Sequence, residues 1–249
     1  MSAPLLTVEN LSKRFGGVIA NADISFEIRS NELVSVIGPN GAGKSTLFKA
    51  ICGVKPPRGK PGSDSGRVLW EGQDVTNYPA HRMCRKGLAL VFQETESLKG
   101  MTALQNVSIG ALVRVDSYHQ ALALSAATLE RVGLSDRADH LVSDLTLAER
   151  RRLEIGRALA TQPKLLLLDE TMAGLTLTEV NNSIELVRDI SRAGVTVMLI
   201  EHVLEAVMAV SERIIVLDRG RKIADGKPDE VVNDPDVIRA YLGGEFADA

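Results

Sequence analysis

The sequence predicts an α/β fold: a mixed sheet core with helices packed on it, an antiparallel β subdomain near the start, and an inserted α-helical subdomain. Three observations carry this. Leu33-Val34-Ser35-Val36-Ile37 and Leu165-Leu166-Leu167-Leu168 are strand-sized apolar runs, as expected of strands buried on both faces. A glycine-rich loop joins the first run to a helical segment. From about residue 102 to 134 the pattern changes to Ala and Leu at helical spacing, for example Leu122, Leu124, Leu129 and Val132.

In chain order, residues 5–11 and 23–28 alternate well enough to predict antiparallel strands. Between them Lys13-Arg14-Phe15-Gly16-Gly17-Val18 reads as a turn displaying one aromatic. Phe15 is either packing or a platform for a flat base. After the strand at 33–37 comes Gly38-Pro39-Asn40-Gly41-Ala42-Gly43-Lys44-Ser45-Thr46, a full match to G-x-x-x-x-G-K-[ST]. Residues 47–53 then read as a helix stopped by Gly53. Strand, glycine-rich loop and helix point successive backbone N–H groups and a helix N-terminus at one anion. Lys44 would reach the β- and γ-phosphates and the Ser45 hydroxyl would sit on Mg²⁺. The expected ligand is a nucleoside triphosphate.

Residues 56–66 are rich in Pro, Gly and charge and predict a loop. Residues 67–70 and 88–92 predict further strands, the second ending at Gln93. Glutamine there is either a polar terminus or a group at the sheet edge where α/β folds bind ligands. Residues 145–149 lead into a helix over 150–159, and the run Arg150-Arg151-Arg152 reads as a solvated face. The apolar strand at 165–168 ends in Asp169 and Glu170. Alternation sends the two carboxylates in different directions, so one can serve Mg²⁺ while its neighbour addresses a water. A helix over 177–192 and a strand over 196–200 follow, the strand closing on Glu201-His202. A strand-end histidine is structural or catalytic. Residues 213–218 and 221–225 predict a hairpin around Arg219-Gly220, and Asp234-Pro235 starts a last helix to about residue 242.

Composition bounds the function. A net charge of −3 with 4% aromatics gives no basic, ring-bearing face for nucleic acid. Cys52 and Cys84 lack metal-ligand spacing and read as free thiols in a reducing compartment. The N-terminus has no charged start followed by an apolar core, and no apolar run is long enough to span a membrane. The expectation is a cytoplasmic chain that works at a membrane, if at all, through partners.

These pieces, in this order, resemble the nucleotide-binding subunit of an ATP-binding cassette transporter, over nearly the whole chain. The Phe15-Gly16-Gly17 turn, the Arg151-Arg152-Leu153-Glu154-Ile155 helix, Met172-Ala173-Gly174-Leu175, Ile200-Glu201-His202 and Asn233-Asp234-Pro235 look like the uptake systems for branched-chain and other hydrophobic amino acids. The resemblance implies one cassette over 1–249: a core with its β subdomain over about 1–95 and 160–228, a helical insertion over about 96–159, and a helical tail over 229–249. It implies that Phe15 stacks on adenine and that the loop amides from Gly38 to Thr46, Lys44 and Ser45 hold the phosphates and Mg²⁺ of ATP. It further implies that Gln93 contacts Mg²⁺ and the attacking water, Asp169 supports Mg²⁺, Glu170 is the general base and His202 touches the γ-phosphate. The implied partners are a second ATP-binding subunit, two membrane permease subunits on the inner face of the cell membrane and, indirectly, an extracytoplasmic solute-binding protein.

The chain departs from the family at Leu145-Thr146-Leu147-Ala148-Glu149, where the pattern is Leu-Ser-Gly-Gly-Gln. Thr146 keeps a hydroxyl for a γ-phosphate across the dimer. Ala148 adds a methyl where backbone approaches phosphate, and Glu149 adds a negative charge that opposes closure. Thr171 and Thr176 replace the usual proline and aspartate, and Val203 follows the histidine. This asymmetry between a complete set of own-site residues and an altered trans segment favours pairing with a different ATPase subunit over a homodimer. It also motivates a second reading, an ATP-dependent clamp that dimerises but hardly hydrolyses. A repair or translation ATPase of the same superfamily is disfavoured, since the chain has neither a long coiled coil nor a second cassette.

Overall fold

The computed structural model describes residues 3–57, 64–94 and 97–242. In chain order the elements are β1 (Leu6–Phe15), β2 (Val18–Ile28), β3 (Leu33–Ile37), α1 (Lys44–Ile51), β4 (Ser65–Trp70), β5 (Gln73–Asp74), α2 (Ala80–Lys86) and β6 (Leu88–Val91). Then come α3 (Ala103–Ala111), α4 (Tyr118–Arg131), α5 (Leu147–Leu159), β7 (Leu165–Asp169), α6 (Leu177–Arg192) and β8 (Thr196–Ile200). The chain continues through α7 (Leu204–Val210), β9 (Arg213–Asp218), β10 (Arg221–Gly226), α8 (Pro228–Val231) and α9 (Pro235–Leu242).

Two sheets form. One is four-stranded, in the order β2-β1-β4-β5, with every pair antiparallel. The other is six-stranded, β10-β9-β3-β8-β7-β6, parallel throughout except for β10 at its edge. The leucine run of β7 shows why this sheet needs cover on both faces. Leu165 and Leu167 join the core containing α1 and β1, while Leu166 and Leu168 join the core containing α3, α5 and α6. Met198 and Ile200 of β8 point to the first core, Val197 and Leu199 to the second. Helix α1 is therefore wedged between the two sheets, with Leu47 and Phe48 fully buried. The stretch between β6 and β7 contains helices and short 3₁₀ turns, and no strand among its described residues.

Several expectations need correction. The hairpin strands run further than predicted: Phe15 pairs with Val18, leaving only Gly16 and Gly17 as the turn. Lys13 is held there by Asp64, by the Pro56 carbonyl at 3.1 Å and by antiparallel pairing, which sequence alternation alone does not reveal. Ser65 and Gly66 belong to β4 rather than to the preceding loop, and residues 58–63 of that loop lie outside the described residues. The first helix starts at Lys44, and α5 starts at Leu147 behind a Thr146 N-cap. β7 ends at Asp169, so strand alternation does not orient Glu170. β5, α2, α7 and α8 were not predicted; each has no more than 7 residues, too short for a periodic signal. Cys52 and Cys84 are free, and burial pushes the Cys52 thiol up to about 11, away from reactivity.

Candidate active site

The carboxyl ends of β3, β6, β7 and β8 lie along one edge of the parallel sheet, and each delivers a residue singled out from sequence. After β3 the glycine-rich loop curls back tightly. Gly38 has φ 148, and a Cβ there would lie 2.0 Å from the Leu217 carbonyl oxygen. Gly43, at φ 97, caps α1, where a Cβ would lie 2.1 Å from the Ala20 carbonyl oxygen. Only glycine fits either place. Asn21, fully buried on β2, donates from Nδ2 to the Gly43 carbonyl at 3.1 Å and braces the loop from beneath. Nothing in the sequence pattern marks Asn21 out, because its partner is reached only by folding.

Lys44 is buried beneath the loop, its Nζ donating to the carbonyls of Gly38 (2.7 Å) and Pro39 (3.1 Å). Burial lowers its pKa, opposed by the charges of Glu170 and Asp169. Ser45 Oγ donates to Asp169 Oδ1 at 3.0 Å. The second oxygen, Asp169 Oδ2, is buried and has no hydrogen-bond partner among the described residues. Burial raises the Asp169 pKa, the Ser45 hydrogen bond lowers it and the nearby Glu170 raises it. A buried carboxylate with one idle oxygen, next to a hydroxyl and a second carboxylate, suits a hard divalent cation with oxygen ligands. Ser45 and Asp169 could hold Mg²⁺.

Glu170 turns out of β7 through a left-handed backbone conformation, φ 51, uncommon for a residue with a side chain. That turn directs its carboxylate toward Gln93 and His202. Glu170 Oε2 accepts from Gln93 Nε2 at 2.5 Å, and Oε1 lies 2.5 Å from His202 Nε2. Its side chain is only 13% exposed against 42% for that of His202. A carboxylate held on both oxygens in this way can orient a water and take its proton.

Arg151 is the main surprise in this region. The arginine run was expected to be solvated, but Arg151 is buried and donates from Nη1 to the Gln93 carbonyl at 2.5 Å. Its place on the stripe Ala148, Arg151, Ile155, Leu159, all buried, was a signal that sequence reasoning could have used. Glu201 is also buried, accepting the Met172 N–H at 2.9 Å, and burial pushes its carboxyl up to about 7.

Phe15 and Thr146 make their contacts elsewhere. Phe15 sits at the hairpin tip, 41% exposed, with Lys55 Nζ 5.0 Å and Lys13 Nζ 5.7 Å from its ring centroid. Thr146 and Glu149 form a capping box at the start of α5, and Glu149 also accepts from Arg137 Nε at 2.8 Å. These hydrogen bonds, the Thr146 N–H first and Arg137 second, lower the Glu149 pKa. The negative charge that Glu149 was expected to bring against closure is therefore already engaged, by a helix N-terminus and a guanidinium. Leu147 remains 37% exposed, and a Cβ on Gly174 would lie 3.3 Å from its Cδ2.

The family model described as ABC transporter matches residues 22–173. This chain is an ATP-binding cassette of the ABC transporter family. A second model, described as branched-chain amino acid ATP-binding cassette transporter, matches residues 221–247 of the cassette. The cassette is 38% identical to the high-affinity branched-chain amino acid transport ATP-binding protein LivG of Escherichia coli, covering 98% of this chain and 99% of that protein. It is 36% identical to the equivalent protein BraF of Pseudomonas aeruginosa, with the same coverage. Among solved structures, the ADP conformation of MJ1267, an ATP-binding cassette of an ABC transporter, superposes with a TM-score of 0.85 at 30% identity, covering 97% of this chain and all of that one. The cassette thus belongs to a family of nucleotide-binding ATPases and has its α/β fold. No helix among its described residues is long and apolar enough to cross a membrane.

Proposed function

We propose that the cassette hydrolyses MgATP to power import of branched-chain or other hydrophobic amino acids. It would sit in the cytoplasm against the inner face of the membrane, seated on two permease subunits that receive solute from an extracytoplasmic binding protein. The solute class follows from the LivG and BraF relatives and from the tail match over residues 221–247. The observation that carries the chemistry is the grip of Gln93 and His202 on the two oxygens of Glu170. In this reading the division into core, helical insertion over about 96–159 and tail from 229 is functional as well as spatial.

ATP lies with its phosphates on the amides of the loop from Gly38 to Thr46, Lys44 addresses the β- and γ-phosphates, and Phe15 stacks on adenine. Ser45, Asp169 and Gln93 would hold Mg²⁺, which would neutralise phosphate charge. Glu170 orients a water against the γ-phosphorus. The water oxygen bonds to phosphorus, the bond to the β-phosphate oxygen breaks, ADP leaves, and the water proton passes to the Glu170 carboxylate. His202 addresses the γ-phosphate and fixes the Glu170 rotamer. Thr146 serves a partner's nucleotide. Leu147 is exposed at that trans surface, while the Ala148 methyl, expected to crowd it, is buried in the fold. The reading therefore favours a heterodimer with a second ATPase subunit, and crowding by Leu147 replaces charge as its basis.

Glu170→Gln in the reconstituted transporter tests the assignment. Hydrolysis and leucine uptake should fall by roughly 10²–10⁴-fold, the worth of a positioned general base, with ATP binding kept. Phosphate release within a few-fold of wild type would place the base elsewhere.

A further inference from the structure

We infer that Glu201 is a positioning residue for ATP hydrolysis: its buried carboxyl pins the segment after Glu170 and so keeps the general base between Gln93 and His202. This rests on the reading of Glu170 as base. Three successive residues at the end of β8, Ile200, Glu201 and His202, act on two residues just beyond β7, Glu170 and Met172. The Ile200 carbonyl accepts the Glu170 N–H at 2.9 Å. Glu201 Oε1 accepts the Met172 N–H at 2.9 Å. His202 Nε2 meets Glu170 Oε1 at 2.5 Å. The first and third contacts grip Glu170 itself; the second closes the turn behind it.

That turn needs holding. Glu170 is left-handed at φ 51, a conformation that persists only where surrounding contacts impose it. Thr171 and Met172 are 2% and 1% exposed, so water cannot replace a lost acceptor at the Met172 N–H, and an unsatisfied buried donor is costly. Glutamate is almost never fully buried without a partner, yet Glu201 is 2% exposed. Arg151 is the guanidinium whose charge acts on it, and the same Arg151 holds the Gln93 carbonyl. One buried arginine thereby bears on both flanks of the base. A fully apolar residue at 201 would pack at lower cost, but it would release Met172 and with it the geometry of Glu170.

The test uses the assembled transporter, with Glu201→Leu, Glu201→Gln and Glu170→Gln compared for kcat, KM for ATP and melting temperature. Glu201→Leu lacks the acceptor, and its kcat should fall by roughly tenfold or more while KM stays within about twofold. Glu201→Gln keeps an acceptor oxygen and should retain kcat within about threefold. A merely structural role would lower the melting temperature of Glu201→Leu and leave kcat of the folded fraction unchanged, which overturns the inference. So does a Glu201→Gln protein as slow as Glu201→Leu. Should Glu201→Leu not assemble, Glu201→Gln decides alone: retained kcat supports the assignment and its loss refutes it. If Glu170→Gln stays active, the premise about the base has failed; if it is dead while Glu201→Leu runs at the wild-type rate, only the positioning role has failed.

Discussion

Ser45 Oγ donates a 3.0 Å hydrogen bond to Asp169 Oδ1, tying the first turn of α1 to the end of β7. Two motifs separated by β4 to β6 and the whole helical segment therefore meet at one hydrogen bond, beside which the buried Asp169 Oδ2 has no partner among the described residues. The consequences run from this contact outward.

Ser45→Ala removes the hydroxyl from the proposed cation site. ATP affinity of the variant should no longer rise when Mg²⁺ is added, whereas that of the wild type should. Titration of a fluorescent ATP analogue with and without Mg²⁺ reads this directly; an equal Mg²⁺ effect in both proteins would remove Ser45 from the ligand set. Without nucleotide, loss of the Asp169 partner should cost about 1 kcal/mol of unfolding free energy.

Lys44→Ala should weaken ATP binding about ten- to a hundredfold, as expected when a charged hydrogen-bond donor is lost. Lys44→Arg should not restore it. The Nζ sits within 3.1 Å of two loop carbonyls at a buried position, and a planar guanidinium does not fit where a compact ammonium does. Equilibrium nucleotide titration decides, and wild-type affinity in either variant contradicts the placement of Lys44 on the phosphates.

Phe15→Ala should weaken adenine nucleotides by about 1–3 kcal/mol, the range for bases stacked on aromatic rings. Inorganic triphosphate has no base, so its affinity should hold. Two lysines near the ring make a second outcome informative: equal weakening of both ligands would assign the tip to phosphate attraction instead of stacking.

Glu201 makes stability depend on pH. Burial is the largest cause that lifts its carboxyl from 4.5 to about 7; Glu170 lifts it further, while the Met172 and His202 N–H groups and Arg151 oppose the rise. The folded chain therefore holds this proton more tightly than the unfolded chain. Its contribution is complete below pH 4.5 and is lost as pH rises through about 7. The uncharged Glu201→Gln should gain on the wild type by on the order of 2–3 kcal/mol between about pH 5 and pH 8. Urea unfolding of both proteins at the two pH values measures it, and a difference independent of pH would show that Glu201 does not titrate in this window.

The sequence by itself determined the glycine-rich loop between β3 and α1, the buried strand ending in Asp169, the positions of Gln93 and His202, and the helical character of the middle of the chain. Each is written in adjacent or periodically spaced residues, so local chemistry suffices to read it. Tertiary structure alone decided what those residues touch. Arg151 looked solvated until β6 brought the Gln93 carbonyl to it. Glu149 looked like a charge set against closure until the chain turned Arg137 onto it. Glu201 looked like a strand end until Met172 offered its N–H from just beyond the neighbouring strand β7. A charged side chain in a sequence carries no record of its partner. Whether it is solvated, neutralised or pressed into holding a backbone depends on which distant groups folding places within about 3 Å of it, the range of a hydrogen bond.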